Sequence, residues 1–293
     1  MTFFLDVRTN PVGGPLGTSV SLYQGSNLAN YASASRDQIV QHIQGRHVLI
    51  GTHGLNVNRA DGIEHLDTWS GLLLQLNPTL DAFVGLLWPG DSIWLHGLDY
   101  PEEPKIADDA GHLLAPFLDD LLTAAASVSF SSHSLGARLV LRTISLMKTR
   151  VRHAMLMAGA IDDNCLTDEF QSAAVNVGTI SVMASKGDEV LALAFPLGNF
   201  LSGIFDVGHP WWHGALGRNG PRQPWPANFK APFQIPDGWH FSHGDYLAVA
   251  PVANSPSSMP TVVPPQGSAV PTNGSPGWSQ VFSAGVVSTW FTE

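Results

Sequence analysis

Charged residues and cysteine are scarce in this sequence. Only 13% of its 293 residues are charged and 44% are hydrophobic, whereas average globular chains are about 25% charged. So few charges exclude a charged disordered chain and a heptad coiled coil. The single cysteine, Cys165, excludes an intrachain disulfide and a cysteine-rich zinc module, and it suits a reducing compartment.

Basic residues are outnumbered by acidic ones, and the net charge is −10. An acidic surface repels the phosphates of nucleic acids, and no basic tract is present to hold the chain on anionic lipid. The N-terminal segment MTFFLDVRTN lacks the basic start and apolar run of a signal peptide. The most apolar stretch, 190–205, is interrupted by proline and glycine, so no transmembrane helix is predicted. We therefore expect a cytoplasmic protein that binds no nucleic acid and has no integral membrane segment.

Apolar segments along the chain alternate between the patterns of strands and of helices. Strands are predicted over 2–8, 19–24, 47–51, 82–88, 128–132, 153–157 and 179–184. Helices are predicted from a capping box at Ser35 to Gly45, and over about 66–76, 105–126 and 135–148. This alternation predicts an α/β fold with a mostly parallel sheet, helices on both faces and the opening hairpin as an antiparallel edge.

The regular alternation ends in the C-terminal third of the chain. Tryptophan and proline are mixed over about 191–240, which predicts an irregular cap or lid insertion into a domain that spans 1–250. Residues 251–293 form a Pro/Ser-rich extension. Four apolar residues near its end recur at every fourth position, which favours a helix that docks on the core. These residues are Trp278, Phe282, Val286 and Trp290.

The segment 132–136, Ser-His-Ser-Leu-Gly, carries the strongest functional signal. It follows a predicted strand and opens a predicted helix, and in that context a serine nucleophile projects from a tight turn at the carboxyl end of a sheet. The positions two before and two after the nucleophile must be small, and here they hold Ser132 and Gly136. Ser134 is therefore the predicted nucleophile. Ser132 fits worse because glycine is absent two residues after it, and the alternative is an ordinary serine-rich helix cap.

A second segment, 48–56, predicts an apolar strand that runs into a His-Gly turn. Acyl transfer requires backbone N–H donors for the developing oxyanion, one of them from the residue after the nucleophile. The amides of Leu135 and Leu55 are the candidates, and Gly54 is expected to give the turn its backbone freedom. The alternative is a plain turn at a strand end.

The acid of such a site follows the nucleophile in the chain, and the histidine comes last. Asp188 lies in the turn after the predicted strand 179–184, where a carboxylate can orient an imidazole. Glu189 beside it, and Asp162 or Asp163 after the preceding strand, are the alternatives.

His243 is the candidate base, on the far side of the irregular insertion. Gly244 favours it, because a loop histidine that reaches across the sheet is expected to need a permissive backbone beside it. His240 is the competitor, and with 12 histidines in the chain most must have other roles.

Three motifs resemble those of the α/β-hydrolase superfamily, over about residues 45–250. They are His-Gly-Leu-Asn at 53–56, Trp-Pro at 88–89 and His-Ser-Leu-Gly at 133–136. Within the superfamily, the pattern is similar to bacterial predicted esterase/lipase-like hydrolases. The departures are Ser132 in place of the usual small glycine, and a long insertion before His243.

The resemblance implies a serine carboxylesterase that cleaves apolar, uncharged esters of short to medium acyl length through an acyl-enzyme, with no cofactor. Gly54, His133, Trp211 and Trp212 are expected to contact the small-molecule ester. A lipase or amide hydrolase with the same triad is one alternative. A non-catalytic binding module of the same fold is another, because fold alone does not separate them.

Two histidine pairs, 209/213 and 240/243, have spacings found in metal sites, and Asp206 lies close to the first pair. Pro210 disfavours a regular helix through that pair. No glycine-rich dinucleotide or phosphate motif occurs. The sequence therefore predicts neither a metal nor a cofactor.

Overall fold

A computed structural model of the protein describes residues 1–76, 80–91, 103–192, 214–230, 233–235, 237, 241–247, 283, 286 and 287. Within them, nine strands form one sheet. The strands are β1 (Thr2–Arg8), β2 (Leu16–Gly25), β3 (Ala32–Ser33), β4 (His47–Thr52), β5 (Ala82–Leu87), β6 (Ser127–His133), β7 (Val151–Met157), β8 (Val177–Ser185) and β9 (Phe233–Ile235). The α-helices include α1 (Arg36–Ile43), α2 (Arg59–Leu76), α3 (Glu103–Leu121), α4 (Gly136–Leu146), α5 (Gln171–Asn176) and α6 (Leu216–Asn219).

The sheet is parallel except near one edge. Its strand order is β3-β2-β1-β5-β4-β6-β7-β8-β9, and among the described strands β2 alone runs in the opposite direction to the others. The predicted fold class, a mostly parallel sheet covered by helices, is confirmed. The hairpin of β1 and β2 lies toward the edge as expected, although β1 itself pairs in parallel with β5.

Burial is complete along two neighbouring strands, and in β1 it includes the charged Asp6 and Arg8 as well as the apolar residues. Every residue of β1 and of β5 is buried, as parallel strands covered by helices require. Since β4 and β6 are parallel and in register, with Thr52 opposite Ser132, the segments that follow both strands emerge at the same edge of the sheet. That edge is where functional side chains of parallel α/β sheets gather.

Local capping decides where the first two helices begin. The Ser35 side chain accepts the Gln38 amide at 3.2 Å while the Gln38 side chain accepts the Ser35 amide at 2.7 Å, so the predicted capping box is present. α2 begins at Arg59, seven residues before the predicted start at 66. The Asn58 side chain accepts the Asp61 amide at 3.0 Å, and this cap was not recognised because charged residues interrupt the apolar spacing after it.

β9 lies inside the segment 191–240, where the sequence predicts no regular element. It extends the sheet by parallel pairing with β8, and Phe229 just before it forms an isolated bridge with Ile180. A three-residue strand offers too few positions for a recognisable apolar pattern. Residues 193–213 of the predicted cap lie outside the described residues.

Three residues near the chain end are described. Ser283, Val286 and Val287 are helical and fully buried. The Ser283 hydroxyl donates to the Tyr246 carbonyl at 2.7 Å, so this part of the chain packs beside the segment that carries His243. The other members of the predicted docking repeat, Trp278, Phe282 and Trp290, lie outside the described residues.

A buried arginine at the end of β1 connects the loops beside β5 and α2. The Arg8 side chain donates to the carbonyls of Trp88 at 2.8 Å and Val57 at 3.1 Å, and it pairs with the Asp91 carboxylate. A buried charge is tolerated only when it is paired and hydrogen-bonded in this way. These contacts hold the loops on either side of the His-Gly turn.

The buried His153 on β7 should make the stability of the protein depend on pH. Burial, with Arg152 and Lys230 nearby, lowers the pKa of His153 from its usual 6.5 to about 4. The neutral ring therefore contributes its full stability above about pH 6.5, and this contribution is lost as the pH falls toward 4. Relative to His153→Leu, the unfolding free energy of the wild type is expected to fall by about 1.4 kcal/mol per pH unit in that window. Urea unfolding of both proteins between pH 7.5 and 4.5 measures this, and a difference that is constant with pH would contradict it.

Candidate active site

The turn between β6 and α4 holds Ser134 in a strained backbone conformation. Its φ is 54°, one of three positive values at non-glycine residues in the described chain, and such values are uncommon outside functional sites and turns. Hydrogen bonds hold it there: the Ser134 amide donates to the Met157 carbonyl at 3.0 Å, and the Ala160 amide donates to the Ser134 carbonyl at 3.1 Å. The turn therefore projects one hydroxyl from the carboxyl end of the sheet.

Close packing explains why the neighbours of the turn are small. A Cβ on Gly136 would lie 2.4 Å from the His53 carbonyl oxygen, and one on Gly54 would lie 2.5 Å from the Ser134 Cβ. Gly54 thus permits close approach, and the expectation that it supplies backbone freedom is wrong, since the positive φ of this turn, 58°, belongs to Asn56.

Two hydrogen bonds of His243 connect the predicted nucleophile and acid. The Ser134 hydroxyl lies 2.7 Å from His243 Nε2, and the Asp188 carboxylate lies 2.7 Å from His243 Nδ1. An ionised carboxylate can only accept, so Nδ1 carries the proton and Nε2 offers its lone pair to the hydroxyl. The structure therefore brings Ser134, His243 and Asp188 into the geometry of a serine–histidine–aspartate relay.

The carboxylate in this relay is fully buried. The Asp188 side chain is 0% exposed, and its second oxygen accepts the Leu191 amide at 2.9 Å. These two partners satisfy a charge that would be costly if it were isolated. Two alternative acids lie in other surroundings. Glu189 is exposed, and the Asp163 amide donates to the Gly214 carbonyl at 2.8 Å.

The candidate base, His243, lies in a short 3₁₀ turn at His243–Asp245. The Ser242 amide donates to the Asp245 carboxylate at 2.6 Å and shapes this turn. Gly244 has no positive φ and an added Cβ there would meet open space, so the expected need for a permissive backbone is wrong. The competitor His240 lies outside the described residues.

The predicted oxyanion donors lie at the ends of two strands. Leu135 follows Ser134 at the N-terminus of α4, and Leu55 follows Gly54, which is packed on Ser134. Neither backbone N–H donates to another residue within the described ranges. Two unused amides next to a nucleophile, one at the positive end of a helix dipole, can bind a developing oxyanion.

His53 and Trp88 lock the turn that carries Leu55, a contact that sequence reasoning missed. His53 Nδ1 donates to the Gly54 carbonyl at 2.9 Å, while its Nε2 accepts the Trp88 amide at 3.4 Å. The Trp88 indole N–H donates to the His53 carbonyl at 3.1 Å. Burial lowers the pKa of His53 to about 3, so the ring stays neutral. Both residues stand in recognisable motifs, but spacing alone does not reveal that the motifs touch.

The remaining predicted residues have different outcomes. His133 Nε2 donates to the His243 carbonyl at 2.7 Å, and Gly54 lies against Ser134. Several others lie outside the described residues: Trp211, Trp212, His209, His213 and Asp206. The described part of the chain contains no cluster of three or more metal-ligating side chains. It also contains no helix long and apolar enough to cross a membrane.

Comparisons with known proteins extend this description. A family model described as "Alpha/beta hydrolase of unknown function (DUF900)" matches residues 31–204. The structure of the metagenome-derived lipolytic enzymes LipS and LipT is similar with a TM-score of 0.40 at 10% identity, over 70% of this chain and 88% of that one. A carboxylesterase from Mesorhizobium loti gives 0.37 at 19% identity, over 70% and 85%.

An uncharacterized protein from Bacillus cereus ATCC 10987 is also similar, with a TM-score of 0.41 at 16% identity. The match covers 69% of this chain and 56% of that chain. No curated protein matches the sequence.

Gly136→Ala tests the close contact between the Ser134 turn and the His-Gly turn. The added methyl group would meet the backbone oxygen of His53, which cannot move alone, so we expect the unfolding free energy to fall by about 1–3 kcal/mol. Gly71→Ala is the matched control, because nothing lies within 4 Å of a Cβ added there. That change in α2 is expected to stabilise by about 0.5–1 kcal/mol. Chemical denaturation measures the unfolding free energies of both variants. Equal stability of the two would contradict the close contact between Gly136 and the His53 carbonyl.

Proposed function

The chain belongs to the α/β hydrolase family of unknown function DUF900, and from this premise we propose that it is a serine carboxylesterase. Its substrates are apolar, uncharged esters of short to medium acyl length. The observation that carries the proposal is the pair of 2.7 Å contacts that His243 makes with Ser134 and Asp188.

In the proposed reaction, His243 Nε2 accepts the hydroxyl proton as Ser134 Oγ attacks the ester carbonyl carbon. The amides of Leu55 and Leu135 stabilise the oxyanion, and loss of one such donor typically raises the barrier by about 3 kcal/mol. The C–O bond to the alcohol then breaks and His243 returns its proton to that alcohol. A water molecule, deprotonated by His243, attacks the acyl-enzyme, and as the C–O bond to Ser134 Oγ breaks His243 returns that proton to Oγ, which releases the acid and restores the free serine. Asp188 stabilises the imidazolium in both halves.

Charge around the nucleophile supports a neutral substrate. His53 and His133, which flank the Ser134 turn, both have a pKa lowered to about 3, chiefly by burial. Neither ring is therefore positively charged at neutral pH, so neither attracts a carboxylate or a phosphate on the substrate. The net charge of −10 further disfavours anionic substrates.

Ser134→Ala tests the nucleophile. Without the hydroxyl no acyl-enzyme forms, so turnover of p-nitrophenyl butyrate should fall by roughly 10⁴-fold or more, and labelling by an organophosphonate should vanish. Ser132→Ala is the matched control, since Ser132 is fully buried and its hydroxyl has no hydrogen-bond partner among the described residues. We expect this variant to keep its turnover and its label.

The same assay separates the alternatives. Equal rates for the wild type and Ser134→Ala would remove the enzyme proposal and leave a non-catalytic binding module. A marked preference for p-nitrophenyl decanoate over the acetate and butyrate, with activation at a lipid interface, would indicate a lipase. Faster turnover of a matching anilide would indicate an amide hydrolase.

Asp188→Asn tests the acid. An asparagine amide no longer favours the Nδ1–H tautomer of His243, so kcat should fall by roughly 10⁴-fold with the fold intact. Glu189→Gln provides the control because Glu189 is adjacent but exposed, and it should leave kcat unchanged. Kinetics together with circular dichroism measure both variants, and near-normal turnover by Asp188→Asn would exclude this role.

A further inference from the structure

Consecutive residues of the nucleophile turn hold His243 at two separate points. The Ser134 hydroxyl contacts the His243 ring at 2.7 Å, and the His133 ring contacts the His243 backbone carbonyl at 2.7 Å. The two imidazoles also lie close to each other, with centroids 4.9 Å apart. The position of His243 is therefore fixed relative to the turn that carries Ser134, through contacts with residues 133 and 134.

The tautomer of His133 follows from its partner. A carbonyl oxygen can only accept, so His133 Nε2 carries the proton and donates it. Burial, together with the nearby His243, lowers the pKa of His133 to about 3, so the ring is neutral in the range where esterases are assayed. A neutral donor anchors the His243 backbone without placing a second positive charge beside the imidazolium that forms in the reaction.

Other contacts of the base segment come from elements that do not carry the nucleophile. The Ser185 hydroxyl donates to the Phe241 carbonyl at 2.8 Å from the end of β8. The Ser283 hydroxyl donates to the Tyr246 carbonyl at 2.7 Å. Within the described residues, His133 is the side chain of the nucleophile turn that forms a hydrogen bond with the backbone of His243.

We propose that His133 is a positioning residue that sets the distance between His243 Nε2 and the Ser134 hydroxyl by anchoring the His243 carbonyl. This inference rests on the proposed function, and it assigns His133 a role other than the substrate contact expected from the sequence. A displacement of about 1 Å at such a contact can cost about 100-fold in rate. Because the anchor acts on His243 rather than on the bound ester, we expect the effect in kcat rather than in KM.

Two amide substitutions that differ only in reach test the proposal. His133→Gln places an N–H donor the same number of bonds from Cα as the imidazole Nε2, whereas His133→Asn falls one bond short. With p-nitrophenyl butyrate, we expect His133→Gln to retain kcat within about threefold and His133→Asn to lose about 10- to 100-fold, both with nearly unchanged KM. His153→Leu, a buried histidine on β7, is the control for loss of a packed ring and should keep its kcat.

A second measurement does not require turnover. The Nδ1–H of His243, donated to Asp188, should give a low-field proton resonance that is identified by its absence in His243→Ala. We expect the wild type, His133→Gln and His153→Leu to keep this resonance, and His133→Asn to lose or broaden it.

The outcomes separate this proposal from the proposed function. If the wild type shows no turnover above Ser134→Ala, the esterase proposal fails, while the resonance still reports on the role of His133. If both amide variants keep kcat and the resonance, or if both lose them equally in step with their melting temperatures, His133 is only a packing residue and the proposal is wrong.

Discussion

The left-handed backbone at Ser134 is the constraint on which the rest of the site depends. A side chain at a φ of 54° is disfavoured by about 1–2 kcal/mol, so surrounding structure must hold it. Hydrogen bonds to Met157 and from Ala160 do so, and both residues belong to β7 or the loop after it. The turn can therefore persist only when β6 and β7 are paired, because an isolated five-residue segment has no such partners. The placement of this hydroxyl is thus a property of the sheet rather than of the motif alone.

The remaining parts of the site reach Ser134 because parallel strands deliver their carboxyl ends to one edge. β4 supplies the His-Gly turn, β8 leads to Asp188, and the segment after β9 supplies His243. Side-chain hydrogen bonds hold these loops together. For example, the Ser185 hydroxyl at the end of β8 donates to the Phe241 carbonyl in the segment that carries His243. Among the described residues, hydrogen bonds also fix the turn after β4 and the short turn at His243–Asp245.

The strand–turn–helix context selects Ser134, and chain order selects Asp188 and a histidine near the end of the domain. The preference for His243 over His240 depends on Gly244, a reason that the structure does not support, although His243 does contact the other two residues. Contacts between distant loops could not be predicted from the sequence, since the spacing of residues 53 and 88 does not indicate that the His53 and Trp88 rings stack. β9 was missed for a different reason, because a strand of three residues is specified by its partner β8 rather than by its own pattern. Glycine was also misread: at Gly54 absence of a side chain matters more than backbone freedom.

Among the described residues, His53, His133 and His243 lie at the serine turn, and their hydrogen-bond partners distinguish their roles. His53 accepts from the Trp88 amide and donates to the Gly54 carbonyl, so both ring nitrogens are occupied by backbone. His133 gives its one proton to a carbonyl, and burial lowers its pKa. Only His243 has a carboxylate on one nitrogen and a hydroxyl on the other. Since a base must become positively charged as it accepts a proton, the ring whose positive charge a buried carboxylate can stabilise is the one suited to the proposed role, and the other two, held neutral, fix the structure around it.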